Sequence, residues 1–188
     1  MTCVNEASTK GRLLVASPAL DDGVFDRTVV YVLEHTPEGA LGVVINRPSS
    51  ESDVPGLGAW KTLLAPPAFV FAGGPVEEQA LIGLAATDGA RPGEGWAPIA
   101  DGIGSVDLAS DPNEVAPLID RARIFRGYAG WAAGQLDGEL AVDAWIVVGA
   151  VPNDVFCPEP DHLWRSVLSR QPGRLSWLAH YPDDVELN

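Results

Sequence analysis

Only two cysteines occur in the 188 residues, Cys3 and Cys157. That excludes a disulfide framework and a thiolate metal quartet, and the pair reads as two reduced thiols. Cations are scarce as well: 12 Lys and Arg stand against 26 Asp and Glu, a formal net charge of −14. Affinity for nucleic acid comes largely from cations that neutralise phosphates, so direct nucleic-acid binding is disfavoured. No apolar run reaches the ~20 residues that a membrane crossing needs. The apolar stretch after Arg12 is broken by Ser17 and Pro18 and is too short for a secretion signal. A cytoplasmic protein without membrane association is expected. Standard catalytic signatures are also missing, among them GxSxG, GxxxxGK[ST], HExxH and GxGxxG. His35, His162 and His180 are far apart and have no carboxylate or thiol at ligand spacing. No metal and no cofactor is expected.

What is present is alternation and turns. Apolar residues make up 46% of the chain, enough for one sizeable core, and no composition break divides it. Arg12 to Ser17 reads as a strand that ends at Pro18. The β-branched run Thr28 to Glu34 reads as a central strand, and the turn at Pro37, Glu38 and Gly39 pairs it with Ala40 to Asn46. A short amphipathic helix is predicted over Leu57 to Leu64, after Pro55. Further strands are predicted at 68–72, 80–86, 103–108, 123–128 and 142–148. The stretch 87–98 has no period and reads as a surface loop. Helices are expected from about Asp111, either kinked at Pro117 or beginning at about Glu114 with Pro117 in the first turn, over Gln135 to Ala141, and from an Asp161 cap to about Arg170, with a last turn over 173–180. The remaining 151–160 is Pro-rich coil. About seven strands with few long helices argue for an α+β fold, a mainly antiparallel sheet with short flanking helices. The domain plan is a single unit over 1–188, with 1–10 and 182–188 as loose tails.

Several groups carry candidate chemistry. Asn46 and Arg47 close one strand together, and the guanidinium can hold a carboxylate or phosphate bidentately. The competing reading is a structural turn before Pro48, with Asn46 bonded to backbone. Gly73, Gly74 and Pro75 follow a strand and offer either an anion nest or a tight bend. Between Gly127 and Gly134, permissive backbone surrounds Trp131. Tyr128 and Trp131 can stack on a planar ligand, or serve as core plugs or partner anchors. Gln135 projects from the first turn of a helix whose free N–H groups attract anions, although Asp137 and Glu139 already satisfy that end. His35 at a strand end is a candidate general base, or an imidazole satisfied by nearby backbone.

Five blocks in order, GRLLVASPAL with FDRTVVYVLEH, then GALGVVINRP, FAGGPV and YAGWAAGQLDGEL followed by AW, resemble the YqgE/AlgH family over most of the chain. The resemblance implies a compact α+β domain built on coiled, largely antiparallel sheets. It implies no reaction: the family is largely uncharacterised, and its label of transcriptional regulator comes from a link to alginate regulation. This chain departs from the family at Gly138, where an acidic helix former is commoner. A mid-helix glycine costs about 1 kcal/mol relative to alanine, so that helix leans on Leu136 and Leu140. The expected function is a regulatory or accessory role through binding a protein partner or a small anionic ligand. The alternative is an enzyme acting on a small phosphorylated or carboxylated substrate.

Overall fold

The β-branched run 29–36 holds the centre of the chain because both its faces are covered. In the computed structural model, which describes residues 8–20, 22–50, 56–87, 93 and 95–181, it forms β2 (Val29–Thr36), with Val29 to Leu33 all buried. A near-continuous apolar strand is what burial on two sides requires. On one side it pairs antiparallel with β1 (Arg12–Ala16), on the other with β3 (Gly39–Val44). Cys3, Asp21, Pro55, residues 88–92 and 94 of the loop at 87–98, and the tail 182–188 lie outside the described residues.

The remaining strands are β4 (Phe71–Ala72), β5 (Val76–Ala86), β6 (Trp96–Ala100), β7 (Ile103–Val106), β8 (Arg121–Ala132) and β9 (Trp145–Gly149). They make one nine-stranded sheet in the order β6-β7-β5-β8-β3-β2-β1-β9, with β4 attached to β8 in the single parallel pairing among the strands. The architecture is therefore α+β and mainly antiparallel, as read from the sequence, with nine strands among the described residues where about seven were expected. Two of the differences are instructive. Residues 96–100 form β6, not loop, because Asp101 (φ 49°) and Gly102 (φ 77°) both take left-handed backbone and fold β6 onto β7 as a two-residue hairpin. The strand predicted to stop at Tyr128 continues through Gly130 and Trp131 to Ala132, paired with β3 by Gly39↔Ala132 and Ala40↔Trp131. Gly127 and Gly130, read as permissive backbone around Trp131, lie inside the strand, and Gly134 precedes the helix Gln135–Ala141 in left-handed backbone.

The helices are short: α1 (Pro112–Val115), α2 (Gln135–Ala141), α3 (Pro152–Val155), α4 (Leu163–Ser169) and α5 (Leu175–Leu178). Asp111 caps α1 through Asn113 N–H, and Pro117 falls in a 3₁₀ turn, Ala116–Leu118, that follows it. The predicted helix at 57–64 is a 3₁₀ segment, Gly58–Leu63, that buries Trp60. Asp161 does not cap α4: it lies inside a 3₁₀ turn, Pro160–His162, and α3 interrupts the coil expected at 151–160. Among the described residues, no helix is long and apolar enough to cross a membrane.

The sheet coils, so its two ends approach each other. Gly11 (φ 73°) marks the contact: a Cβ there would lie 2.4 Å from Ala100 Cβ at the tip of the β6–β7 hairpin. Inside the coil and under α4 lies the main core, with Leu13, Tyr31, Val43, Phe71, Leu84, Phe125 and Trp164 among its members. A second cluster on the outer face of β1 to β3 holds Val30, Val44, Trp131, Leu136 and Trp145. A third gathers Trp60, Ala85 and Ile124 under the 3₁₀ segment.

Candidate functional site

Strand β8 and the turn before β5 set the geometry of the strongest candidate site. Gly73 N–H donates to Arg126 O (2.7 Å) and Gly73 O accepts from Val44 N–H (2.8 Å). A Cβ on Gly73 would meet Gly127 O at 2.3 Å, and one on Gly74 would meet Tyr128 O at 2.3 Å. Only glycine lets these backbones approach so closely. The Gly73 N–H is thus spent inside the protein, within a tight bend, and does not face an incoming anion. The bend leaves two clefts with a common wall of Ala72, Gly74 and Glu78. One, of about 200 Å³, is lined also by Val24, Arg47 and Pro75. The other, of about 270 Å³, is lined also by Ser49, Gln79 and Arg126.

Arg47, half-buried, donates through Nη1 to Val24 O and through Nη2 to Asp26 O (3.1 Å). Both acceptors are neutral carbonyls, and among the described residues no ion pair joins this guanidinium to a carboxylate. Asn46 beside it is structural: its Oδ1 accepts from Val29 N–H (2.9 Å) and its Nδ2 donates to Arg27 O (2.9 Å), fixing the start of β2. Tyr128 faces Glu77, and burial together with that carboxylate pushes its phenol above the ordinary value. Of the residues singled out from the sequence, Arg47, Gly74 and Pro75 line one cleft.

Trp131 and Gln135 are held elsewhere. Glu139, on α2, gathers them: its Oε2 accepts from Trp131 Nε1 (2.9 Å) and Trp145 Nε1 (2.8 Å), and its Oε1 accepts from Gln135 Nε2 (3.0 Å). Gln135 Oε1 in turn accepts from Ala132 N–H (3.0 Å). The indoles meet edge to face at 6.0 Å, and Phe25 adds a second such contact to Trp145 at 5.4 Å. Trp131 is 7% exposed. The polar edges of both indoles and of the glutamine are satisfied by one carboxylate, so this end of β8 is a packed junction. Helix α2 has seven residues, is preceded by Gly134 in left-handed backbone and carries Asp137 in its first turn.

His35 has partners that the sequence did not reveal. Its Nδ1 accepts from Thr9 N–H (3.2 Å) and lies 3.0 Å from Thr9 Oγ1. Acceptance from a backbone N–H assigns the remaining proton to Nε2, which lies 3.5 Å from Asp137 Oδ1. Thr9 is 3% exposed. The imidazole therefore ties residues 8–10 to α2, so they are not part of a loose tail.

Sequence reasoning missed Glu78, Gln79, Ser49 and Arg126 at the clefts. A bulge between Val76 and Leu81, with Glu77 at φ 45°, turns 77–79 out of the ladder. Arg126 alone carried a signal, a cation inside the apolar run of β8.

Comparison with known proteins agrees with this architecture. The AlgH-like family model matches residues 13–176. A UPF0301 protein of Streptomyces coelicolor is 48% identical over 186 residues, 97% of this chain and 96% of that one. A UPF0301 protein of Streptomyces avermitilis is 47% identical, with 97% and 96% covered. Among solved structures, a Corynebacterium diphtheriae protein superposes with a TM-score of 0.87 at 31% identity, covering 93% of each chain. The solution structure of AlgH from Pseudomonas aeruginosa gives 0.70 at 28% identity, covering 98% of this chain and all of that one. By fold, by sequence blocks in order and by these matches, the chain belongs to the AlgH-like family.

Proposed function

We propose that the protein is a non-enzymatic regulatory or accessory protein that binds a small carboxylate- or phosphate-bearing ligand in the clefts beside Arg47. The observation that carries this reading is the Arg47 guanidinium on a cleft wall, bonded to carbonyl oxygens and to no carboxylate. A planar cation held in place by carbonyls keeps its charge for an incoming anion and is oriented in advance. Arg126 lines the adjoining cleft, so two cations flank the shared wall. Glu78 stands on that wall as well and disfavours polyanions, which together with the net charge of −14 argues against a direct DNA-binding role. The candidate base of the enzymatic alternative, His35, is already bonded to Thr9 and lies against Asp137.

Isothermal titration with inorganic phosphate and with acetate tests the reading at low ionic strength. Saturable binding of at least one is expected. Arg47→Gln is expected to weaken it about tenfold, the scale of one charge-assisted hydrogen bond, and Glu78→Gln to tighten it by removing a like charge. No saturable heat with either anion in the wild-type protein overturns the proposal.

A further inference from the structure

A cleft larger than those two lies elsewhere among the described residues. About 520 Å³ in volume, it opens along the seam where the coiled sheet brings the β1–β2 end against β5 to β7. The seam is held at one point by Gly11 against Ala100, and the cleft lies beside that contact, lined by the neighbouring Lys10 and Ile99. Its floor is made of core side chains that the seam leaves partly uncovered: Leu41, Ile82 and Ile99 pack against the main cluster and still face the cleft. Leu81, 36% exposed, stands on the wall. A concavity of this size with an apolar floor has the dimensions of a small-molecule site, whereas flat apolar surface does not.

The polar groups are few and stand at the rim. Lys10 Nζ lies 2.8 Å from Glu34 Oε2, so those two charges neutralise each other. Asp107 is exposed, its Oδ1 accepts only the Ala109 N–H (2.9 Å), and among the described residues no cation pairs with it. The uncompensated charge of the rim is therefore negative, and the field of a chain at −14 adds to it. We propose that this seam cleft binds a small apolar cation, an alkyl- or arylamine whose hydrocarbon lies on Leu41, Ile82 and Ile99 and whose ammonium faces Asp107. This site is separate from the anion clefts beside Arg47, shares no lining residue with them, and stands or falls independently.

Hexylamine, hexanol and hexanoate, equal in chain length and different in charge, test it by titration against the whole protein. Hexylamine is expected to bind at least tenfold more tightly than hexanol, and hexanoate least. Asp107→Asn, which retains the acceptor for Ala109 N–H, is expected to bring hexylamine down to the level of hexanol. Ala97→Trp, at an exposed position on the cleft wall of edge strand β6, is expected to weaken hexylamine binding tenfold or more while phosphate binding beside Arg47 stays unchanged. The proposal is overturned if hexylamine binds no better than hexanol, or if its binding survives Ala97→Trp intact.

Discussion

Arg123 shows how a single side chain can hold distant segments of this fold. It is 1% exposed and among the described residues has no carboxylate partner, yet Nη1 donates to Val155 O (3.2 Å) and Cys157 O (3.1 Å), and Nη2 to Pro66 O (2.6 Å). Its guanidinium carbon lies 4.2 Å from the centre of the Phe71 ring. Burial pulls the guanidinium down to about 10, since the core disfavours the charge, and the carbonyls and the π-face offset part of that cost. Arg123→Met should lower unfolding stability by roughly 2–4 kcal/mol, since three carbonyls lose their donor while one desolvated charge is removed. Arg123→Lys should recover less than half of that, because one ammonium cannot span the three acceptors. Glu139 invites the parallel comparison. Glu139→Ala leaves two buried indole N–H groups without an acceptor and should cost roughly 2–4 kcal/mol, whereas Glu139→Gln keeps one oxygen for the indoles and should cost about 1 kcal/mol. Urea denaturation of the four variants measures all of these, and equal loss for Ala and Gln at position 139 would contradict the account of the junction.

Strand β8 organises the elements, since it pairs with β3, β4 and β5 along its twelve residues. Gly127, at φ 68°, is the position on which this depends, because a Cβ there would sit 2.4 Å from Gly74 O. Gly127→Ala combines unfavourable left-handed backbone with a backbone clash and should cost about 2–4 kcal/mol or abolish folding, read by the same denaturation. Local patterns made part of this scaffold legible. The β2–β3 hairpin announced itself through β-branched residues around a Pro-Glu-Gly turn, and α2 begins and ends where Leu136 and Leu140 placed it. The true extent of β8 was hidden, because glycines that normally interrupt a strand are here demanded by the close approach of β4 and the following bend. Strand β6 was missed although Asp101-Gly102 is a strong hairpin signal, since the Gly/Pro content before Trp96 outweighed it. At the candidate site, Arg47, Gly74 and Pro75 were within reach of local reasoning. Glu78 and Arg126 join them only through a bulge and a parallel pairing: Glu78 has no local pattern, and Arg126 shows only as a cation inside an apolar strand.

At the scale of the whole molecule, closure of the coiled sheet should make stability sensitive to alkaline pH. Tyr31 lies 1% exposed in the main core, and its hydroxyl reaches the point where Gly11 meets Ala100. Burial, helped by Asp101 in the hairpin turn, pushes its phenol far above the ordinary value. A raised acid keeps its proton in the folded state after the unfolded chain has lost it, so its contribution is complete below about pH 10 and is lost as pH rises past that value. Arg123 has the opposite sign: a base lowered to about 10 releases its proton earlier in the folded state, so above that pH it favours folding increasingly. Tyr128, raised like Tyr31, adds to the decline. The wild-type slope is therefore a balance, and the difference between wild type and Tyr31→Phe isolates one group, because Arg123 and Tyr128 are common to both. Denaturant titrations at pH 8, 9, 10 and 11 should show Tyr31→Phe less stable than wild type at pH 8 or equal to it. The gap should then move in favour of the variant by up to about 1.4 kcal/mol per pH unit above pH 10. A gap that stays constant from pH 8 to pH 11 would mean that the Tyr31 hydroxyl meets solvent as readily in the folded chain as in the unfolded one.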